Sequence, residues 1–161
     1  MRNLYLLRHA EREPSTDFDT SLTENGFVQA KQLGNLIEET AYHFDTVLCS
    51  SAKRTRQTLE ELKLPASTDI TYSDAIFSAS PGDLLDMIQD ISSNKSTPLI
   101  IGHNPTLSAL VQYLANNDSQ SAENIFVGNC GFKEIRLDIE SWSDIQPHSG
   151  SITHLFPQTL S

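Results

Sequence analysis

Short apolar runs that end abruptly in polar residues are the clearest pattern along the chain. Residues 4–7 (Leu-Tyr-Leu-Leu) are apolar and are followed at once by Arg8 and His9. A run this short, with a polar loop directly after it, is typical of a buried parallel strand. Together with one segment of alternating polarity, such runs predict six strands, at residues 4–7, 46–49, 70–72, 98–102, 131–138 and 152–156.

Helical spacing and cap residues predict four helices between these strands. Gly26, Ala30, Leu33 and Ile37 follow one another at spacings of four, three and four, and therefore line one face of a helix. Thr23 suits the N-cap of that helix. The predicted helices span about residues 24–40, 52–62, 81–91 and 105–114, the last with Asn104 as N-cap and Pro105 as its first residue.

The alternation of strands and helices indicates the fold class. Strand–helix–strand units favour an α/β fold in which a doubly wound, mostly parallel sheet has helices on both of its faces. The last two predicted strands follow one another without a predicted helix, so we expect an antiparallel edge. The polar stretch 115–124 is predicted to hold no regular element. A chain of 161 residues suits one domain, residues 1–161.

Composition narrows the range of partners. The formal net charge is −10, from 21 acidic and 11 basic residues, whereas a nucleic-acid or acidic membrane surface calls for the opposite balance. The two cysteines, Cys49 and Cys130, form no CxxC motif and indicate neither a disulfide framework nor a zinc site. No apolar run approaches the ~18 residues of a membrane span. We therefore expect a cytoplasmic monomer that binds neither nucleic acid nor membrane.

The candidate chemistry lies just past the predicted strand ends. Arg8 and His9 follow the first strand, and His103 follows the fourth, so both imidazoles are expected at one rim of a parallel sheet, where open α/β folds bind their ligands. Arg54 lies in the first turn of the helix after the second strand. Arg56 is two residues further, about 200° around the helix, so only one of these two can face the rim.

The motifs in this region resemble those of the histidine phosphatase superfamily. They are Leu-Arg-His-Ala at 7–10, Leu-Thr-x-x-Gly at 22–26, Ser-x-x-x-Arg-x-x-Gln-Thr at 50–58 and Gly-His-Asn-Pro at 102–105. Each motif alone is weak evidence for this family, but the presence of all four in this order is specific to it. The resemblance is to the short, SixA-type phosphohistidine phosphatases, whose relatives include the phosphoglycerate mutases.

That resemblance implies a role for each site residue. His9 would be the nucleophile that takes the phosphoryl group, Arg8 and Arg54 would bind the phosphate oxygens, and His103 would donate to the charge that develops in the transition state. Asn104 is a further substrate-binding candidate. The implied activity is metal-independent hydrolysis of phosphohistidine in a partner protein, possible partners including a histidine phosphotransfer domain, without a cofactor.

The chain departs from the family pattern in two places. Many members carry Arg-Pro before Leu-Thr-x-x-Gly, where this chain has Thr20-Ser21, so a third cation is missing. Arg12 lies in the same loop and is a candidate replacement, although a solvated loop arginine is the favoured interpretation of this residue. Larger members also bring a glutamate general acid on an insertion for which this chain has no room. Asp74 and Asp83 are the nearest substitutes, although the first turn of a helix often carries a carboxylate such as Asp83.

Three other functions stay open at this point. The same fold could serve a phosphatase of small phosphorylated metabolites, or a module that binds phosphorylated partners without turnover. A metallohydrolase built on His9, His103 and aspartates is the weakest alternative, because no ligand pair has the spacing of a helix or hairpin site.

Overall fold

A computed structural model of the protein describes residues 1–158, and residues 159–161, the end of the predicted domain, lie outside the described part. The chain folds into one six-stranded sheet flanked by helices. The strands are β1 (Arg2–Arg8), β2 (Thr46–Ser50), β3 (Ile70–Ser73), β4 (Pro98–Gly102), β5 (Phe132–Leu137) and β6 (Ser151–Phe156). All six predicted strands are present, with ends shifted by two residues or fewer.

The strand order is β3-β2-β4-β1-β5-β6. The first four strands of this order are parallel to one another, and β5 and β6 run antiparallel at one edge. Arg8 of β1 is in register with Gly102 of β4. The carboxyl ends of β2, β4 and β1 therefore meet at one rim, which is the arrangement that the sequence predicts.

Helices cover both faces of the sheet. They are α1 (Glu24–Thr40), α2 (Lys53–Leu62), α3 (Asp74–Phe77), α4 (Pro81–Gln89), α5 (Thr106–Leu114) and α6 (Ala122–Ile125), with short 3-10 turns at Asn117–Ser119 and Trp142–Asp144. Within residues 1–158, no helix is both long and apolar enough to cross a membrane.

Alternate residues of β1 contribute to two separate cores. Leu4 and Leu6 pack with α4 and α5, whereas Tyr5 and Leu7 pack with α1 and α2. Because successive side chains of a strand point to opposite faces, a central strand between two helical layers must be apolar throughout. The uninterrupted apolar run at residues 4–7 reflects this double burial, and the doubly wound fold class is confirmed.

Two helix starts follow the prediction and one does not. The Thr23 hydroxyl accepts from the Gly26 backbone N–H at 2.9 Å, and Ser80 caps α4. For α5 the prediction was wrong: Pro105 is the N-cap and the helix begins at Thr106. Asn104 lies one residue before this N-cap, and its Oδ1 accepts from the backbone N–H of Ser108 in the first turn of α5 at 3.2 Å.

Two one-turn helices were not predicted. The four-residue α3 lies directly after β3, and α6 lies in the polar stretch that was expected to hold no regular element. A single turn is too short to show a helical period, so the sequence gives little signal for either. Both matter here because the segments that contain them border the carboxyl rim of the sheet.

Candidate active site

Three neighbouring strands bring their ends together at the carboxyl rim. β1 leads to His9, β4 leads to His103, and β2 ends at Ser50, directly before the segment that opens α2. The two imidazole rings lie with their centroids 5.4 Å apart. The structure thus brings together the two histidines that the sequence placed at separate strand ends.

The backbone around His9 is held on three sides. His9 N–H donates to the Gly102 carbonyl of β4 at 3.3 Å, and the His9 carbonyl accepts from Cys130 N–H at 3.0 Å. Ala10 N–H donates to Thr58 Oγ1 of α2 at 3.1 Å. These bonds fix the turn that follows β1, so the ring is held by the sheet and not by a mobile loop.

One hydrogen bond determines which ring nitrogen of His9 is free. Nδ1 lies 2.8 Å from the Ala10 carbonyl oxygen. A carbonyl oxygen can only accept, so Nδ1 carries the proton and Nε2 keeps its lone pair. Nε2 is therefore the ring nitrogen of His9 that has a lone pair free to act as a nucleophile.

Burial keeps His9 uncharged. The side chain is only 2% exposed. Burial, supported by the nearby charges of Arg8 and Arg54, lowers the pKa of His9 to about 3, although the bond to the Ala10 carbonyl opposes this shift. At neutral pH the imidazole is neutral, which is the form that can attack phosphorus.

His103 is neutral for the same reasons, and its Nε2 has a partner. Burial, with the charges of Arg54 and Arg8, lowers the pKa of His103 to about 4. Nε2 lies 2.8 Å from the hydroxyl of buried Ser50. Nδ1 is buried and hydrogen-bonds to no atom of residues 1–158. When Ser50 donates to Nε2, the ring proton is on Nδ1, and that N–H is available to a bound ligand.

Arg8 and Arg54 each hydrogen-bond to the protein through Nη1. Arg54 Nη1 donates to the backbone carbonyl of Asp17 at 2.8 Å, and Arg8 Nη1 points to the Val127 carbonyl at 3.5 Å. The Nε atoms of both arginines are buried and without a partner among residues 1–158. Burial lowers the pKa of each, as does the charge of neighbouring Arg12. Both cations thus keep donors for an anion.

The two arginines of α2 point in different directions, as the helix phase predicts. Arg54 is buried and its guanidinium carbon lies 5.5 Å from the centre of the Phe77 ring. Arg56 is exposed and lies 5.3 Å from the centre of the Tyr72 ring on β3. Only Arg54 approaches the two histidines.

Arg12 takes up a position near the place where the family pattern has its third cation. It pairs with Leu22 in an isolated antiparallel bridge, and the next residue, Glu13, donates its N–H to the Ser21 carbonyl. Its charge acts on both Arg8 and Arg54. The half-buried Arg12 is therefore a third guanidinium beside the site.

The Asn104 side chain serves as a tie between two segments. Its Nδ2 donates to the Val127 carbonyl at 2.6 Å, and its Oδ1 accepts from Ser108 Oγ at 3.0 Å. The same Val127 carbonyl faces Arg8. The structure thus uses Asn104 to hold the segment beside Arg8, and its contact with substrate stays a prediction.

Neither candidate general acid, Asp74 or Asp83, has surroundings that suit a proton donor. Asp74 is exposed in the first turn of α3. Asp83 is exposed and forms a capping box with Ser80. The hydrogen bonds from Ser80 lower the pKa of Asp83. A general acid at neutral pH needs the opposite shift, so Asp83 is unsuited to this role.

Sequence reasoning missed several contributors. Ser50 belongs to a recognised motif, but nothing in the sequence showed that it would meet His103. Phe77, in an unpredicted helix, contacts the His103 ring edge-on at 5.3 Å. The backbone carbonyls of Asp17 and Val127 accept hydrogen bonds from the two arginines. The sequence does not reveal such contacts, because every residue type has a backbone carbonyl. Within residues 1–158, no three His, Cys, Asp or Glu side chains cluster to hold a metal.

Comparison with known proteins agrees with this geometry. The sequence model of the histidine phosphatase superfamily (branch 1) matches residues 4–94. This chain belongs to the histidine phosphatase superfamily. An uncharacterised protein of Mycobacterium tuberculosis is 32% identical over 149 residues, which cover 88% of this chain and 92% of the relative. Membership supports a phosphatase, a hydrolase that acts on phosphoryl groups.

Two solved structures of superfamily members extend the similarity. A candidate phosphohistidine phosphatase SixA from Nakamurella multipartitia is 25% identical, with a TM-score of 0.84 and coverage of 98% of this chain and 97% of that one. A candidate SixA from Agrobacterium tumefaciens is 28% identical, with a TM-score of 0.77 and coverage of 84% and 92%.

Proposed function

We propose that this superfamily member hydrolyses phosphohistidine in partner proteins, without a metal ion, through a phosphoryl group carried on His9. One observation carries the proposal. Three buried nitrogen atoms, Arg8 Nε, Arg54 Nε and His103 Nδ1, have no partner within residues 1–158 and belong to residues around the unprotonated Nε2 of His9. Buried polar groups are rarely left unpaired, and a phosphoryl group would supply acceptors for all three.

The reaction proceeds in two displacements at phosphorus. In the first, the lone pair of His9 Nε2 forms a bond to phosphorus while the bond to the substrate imidazole breaks, and the departing ring takes up a proton. In the second, water attacks phosphorus and the bond to His9 breaks. The sum places the hydroxyl of water on phosphorus and its other hydrogen on the released ring, so His9 returns to its starting state.

The arginines and His103 act on the charge of the phosphoryl oxygens. Arg8 and Arg54 present planar guanidinium groups, which match phosphate geometry and remain charged. His103 presents a neutral N–H donor, fixed through Ser50. Removing one such preorganised donor typically costs about 10²–10³ in kcat.

The preferred leaving group is inferred from the hydrogen bonds that already occupy two nearby carboxylates, those of Asp83 and Glu11. An alkoxide leaving group needs a well-placed acid, which is worth about 10²–10⁴ in rate. Asp83 is engaged in its capping box, and both Glu11 carboxylate oxygens accept hydrogen bonds, from Thr23 and Asn25. An imidazole leaves as a neutral ring once it is protonated and needs far less help. This favours phosphohistidine over alkyl phosphates.

The comparisons support the same substrate class. The two SixA structures described above, at 25% and 28% identity, are candidate phosphohistidine phosphatases. A phosphatase of small metabolites, or a module that binds phosphorylated partners without turnover, would share the fold, since fold alone does not fix the substrate.

The decisive experiment offers a histidine phosphotransfer protein that carries labelled phosphate on histidine. We expect release of inorganic phosphate and, on rapid quenching, label on this protein that is stable in base and labile in acid. His9→Asn should abolish both signals while it preserves the donor to the Ala10 carbonyl. Binding without release would favour the binding module, and equally fast hydrolysis of 3-phosphoglycerate would favour the metabolite phosphatase.

A further inference from the structure

Two phenylalanines form a wall beside His103. Phe77, at the end of α3, contacts the His103 ring at a centroid distance of 5.3 Å and an interplanar angle of 85°. Phe18, in the loop before α1, contacts Phe77 at 5.2 Å and 90°. We call Phe18 and Phe77 the aromatic wall.

The aromatic wall is joined to the phosphate-binding residues on two sides. The guanidinium carbon of Arg54 lies 5.5 Å from the centre of the Phe77 ring, and Arg54 Nη1 donates to the carbonyl of Asp17, the residue before Phe18. The Phe18 backbone carbonyl in turn accepts a hydrogen bond from the backbone N–H of Lys53 at the start of α2. The loop, α2 and α3 therefore hold the wall in a fixed relation to Arg54 and His103.

One side of the wall stays open. Phe18 is 37% exposed, although it packs on Phe77. The wall thus continues from the His103 ring out to the surface. It offers aromatic carbon along this path, with no side-chain hydrogen-bonding group of its own.

We propose that the aromatic wall seats the imidazole ring of the phosphorylated histidine and makes the site selective for ring-bearing leaving groups. This inference rests on the proposed function. Aromatic rings favour edge-to-face or offset contacts, and such a pair contributes beyond the area it buries. The two rings themselves offer no hydrogen-bonding partner to the hydroxyl and carboxylate groups of a small metabolite, and desolvating these groups against the rings is unfavourable.

The test compares two compounds that share the reacting bond. N-phosphoimidazole and phosphoramidate both carry phosphorus bound to nitrogen, but only the first has a ring. Initial rates are measured for the wild type, Phe18→Leu and Phe77→Leu, with spontaneous hydrolysis subtracted. Tyr113→Leu, at an exposed aromatic of α5 remote from the rim, is the matched control.

We expect Phe18→Leu to lower kcat/KM on N-phosphoimidazole about three- to tenfold, the size of one aromatic pair, with little change on phosphoramidate. Phe77→Leu also disturbs Arg54 and His103, so it should reduce both rates but the ring-bearing substrate more. Equal losses on both compounds would mean that the wall only excludes water, and unchanged rates for Phe18→Leu would likewise overturn the inference.

The same measurements separate this inference from the proposed function. Wild-type turnover of N-phosphoimidazole tests whether the enzyme cleaves a phosphorus–nitrogen bond, whereas the ratio of the two substrates in Phe18→Leu tests the wall. If the wild type releases phosphate from the phosphotransfer protein but hydrolyses neither compound, only this inference fails; if it acts on none of the three, the proposed function fails as well. If the wild type hydrolyses both and the ratio stays constant in the variants, only the inference fails.

Discussion

His9 and His103 should make the stability of the fold depend on pH in a predictable direction. In an unfolded chain an ordinary histidine titrates near 6.5, whereas the folded protein holds the pKa of His9 at about 3 and that of His103 at about 4. Below pH 6.5 these two histidines therefore bind protons in the unfolded state but remain neutral in the folded state. The contribution of these two histidines to the free energy of unfolding is fully present above pH 6.5. It is lost as the pH falls from 6.5 towards their pKa values in the folded protein.

The size of this loss follows from the shifts. Each histidine that is charged only in the unfolded state costs about 1.4 kcal/mol per pH unit. Between pH 6.5 and a working pH of about 5, this amounts to about 2 kcal/mol for each ring. His9→Asn removes one titrating group and keeps a donor to the Ala10 carbonyl, so the variant should lose about 2 kcal/mol less than the wild type on acidification.

Urea unfolding at about pH 7 and about pH 5 measures this difference. Buffers without phosphate or sulfate are needed, because anions that bind the site would stabilise the folded state. His43→Asn, at an exposed histidine, is the control and should lose as much stability as the wild type. If His9→Asn and the wild type lose equal stability, His9 is not held neutral by burial, and its assignment as a ready nucleophile has lost its physical basis.

Three further predictions concern the roles of single groups. Arg54→Ala should lower kcat/KM by about 10²-fold or more, whereas Arg56→Ala should change it little, and equal losses would contradict the observed helix phase. Chelators should leave activity intact while vanadate or tungstate inhibits, and activity lost in EDTA and restored by a divalent ion would refute this. Ser50→Ala should weaken catalysis and shift the His103 ring nitrogen signals in NMR, and Ser50→Thr should restore both, whereas unchanged signals would exclude Ser50 as the group that sets the tautomer.

The strand ends were predictable because one physical rule decides them. A strand buried on both faces must be apolar, so the point where the Leu4–Leu7 run meets Arg8 marks the rim of the sheet. The phase of α2 followed equally simply, since two residues along a helix are about 200° of rotation. These two rules brought His9 and His103 to one rim and allowed only one of Arg54 and Arg56 to face it, and the family resemblance selected Arg54.

The parts that were not predictable depend on the backbone or on single turns. The carbonyls of Asp17 and Val127 hold the arginines, and any residue type offers a carbonyl. Phe77 reaches the site from the four-residue α3, which is too short to show periodicity. Asn104 had a strong N-cap signature, yet α5 begins one residue later than this signature predicts, and the Asn104 side chain also donates to the distant Val127 carbonyl, a contact that local sequence does not reveal.

Arg12 shows how the site and the strongly acidic chain fit together. Three guanidinium groups, those of Arg8, Arg12 and Arg54, lie close enough to act on one another, and no ion pair joins any of them to a carboxylate within residues 1–158. Their mutual repulsion is a cost in the free protein, and a doubly charged phosphoryl group would relieve it. The net charge of −10 repels free anions over the remaining surface. If the proposed function is correct, anions bind beside His9, and relief of the repulsion among these three cations contributes to the energy that positions the phosphoryl group.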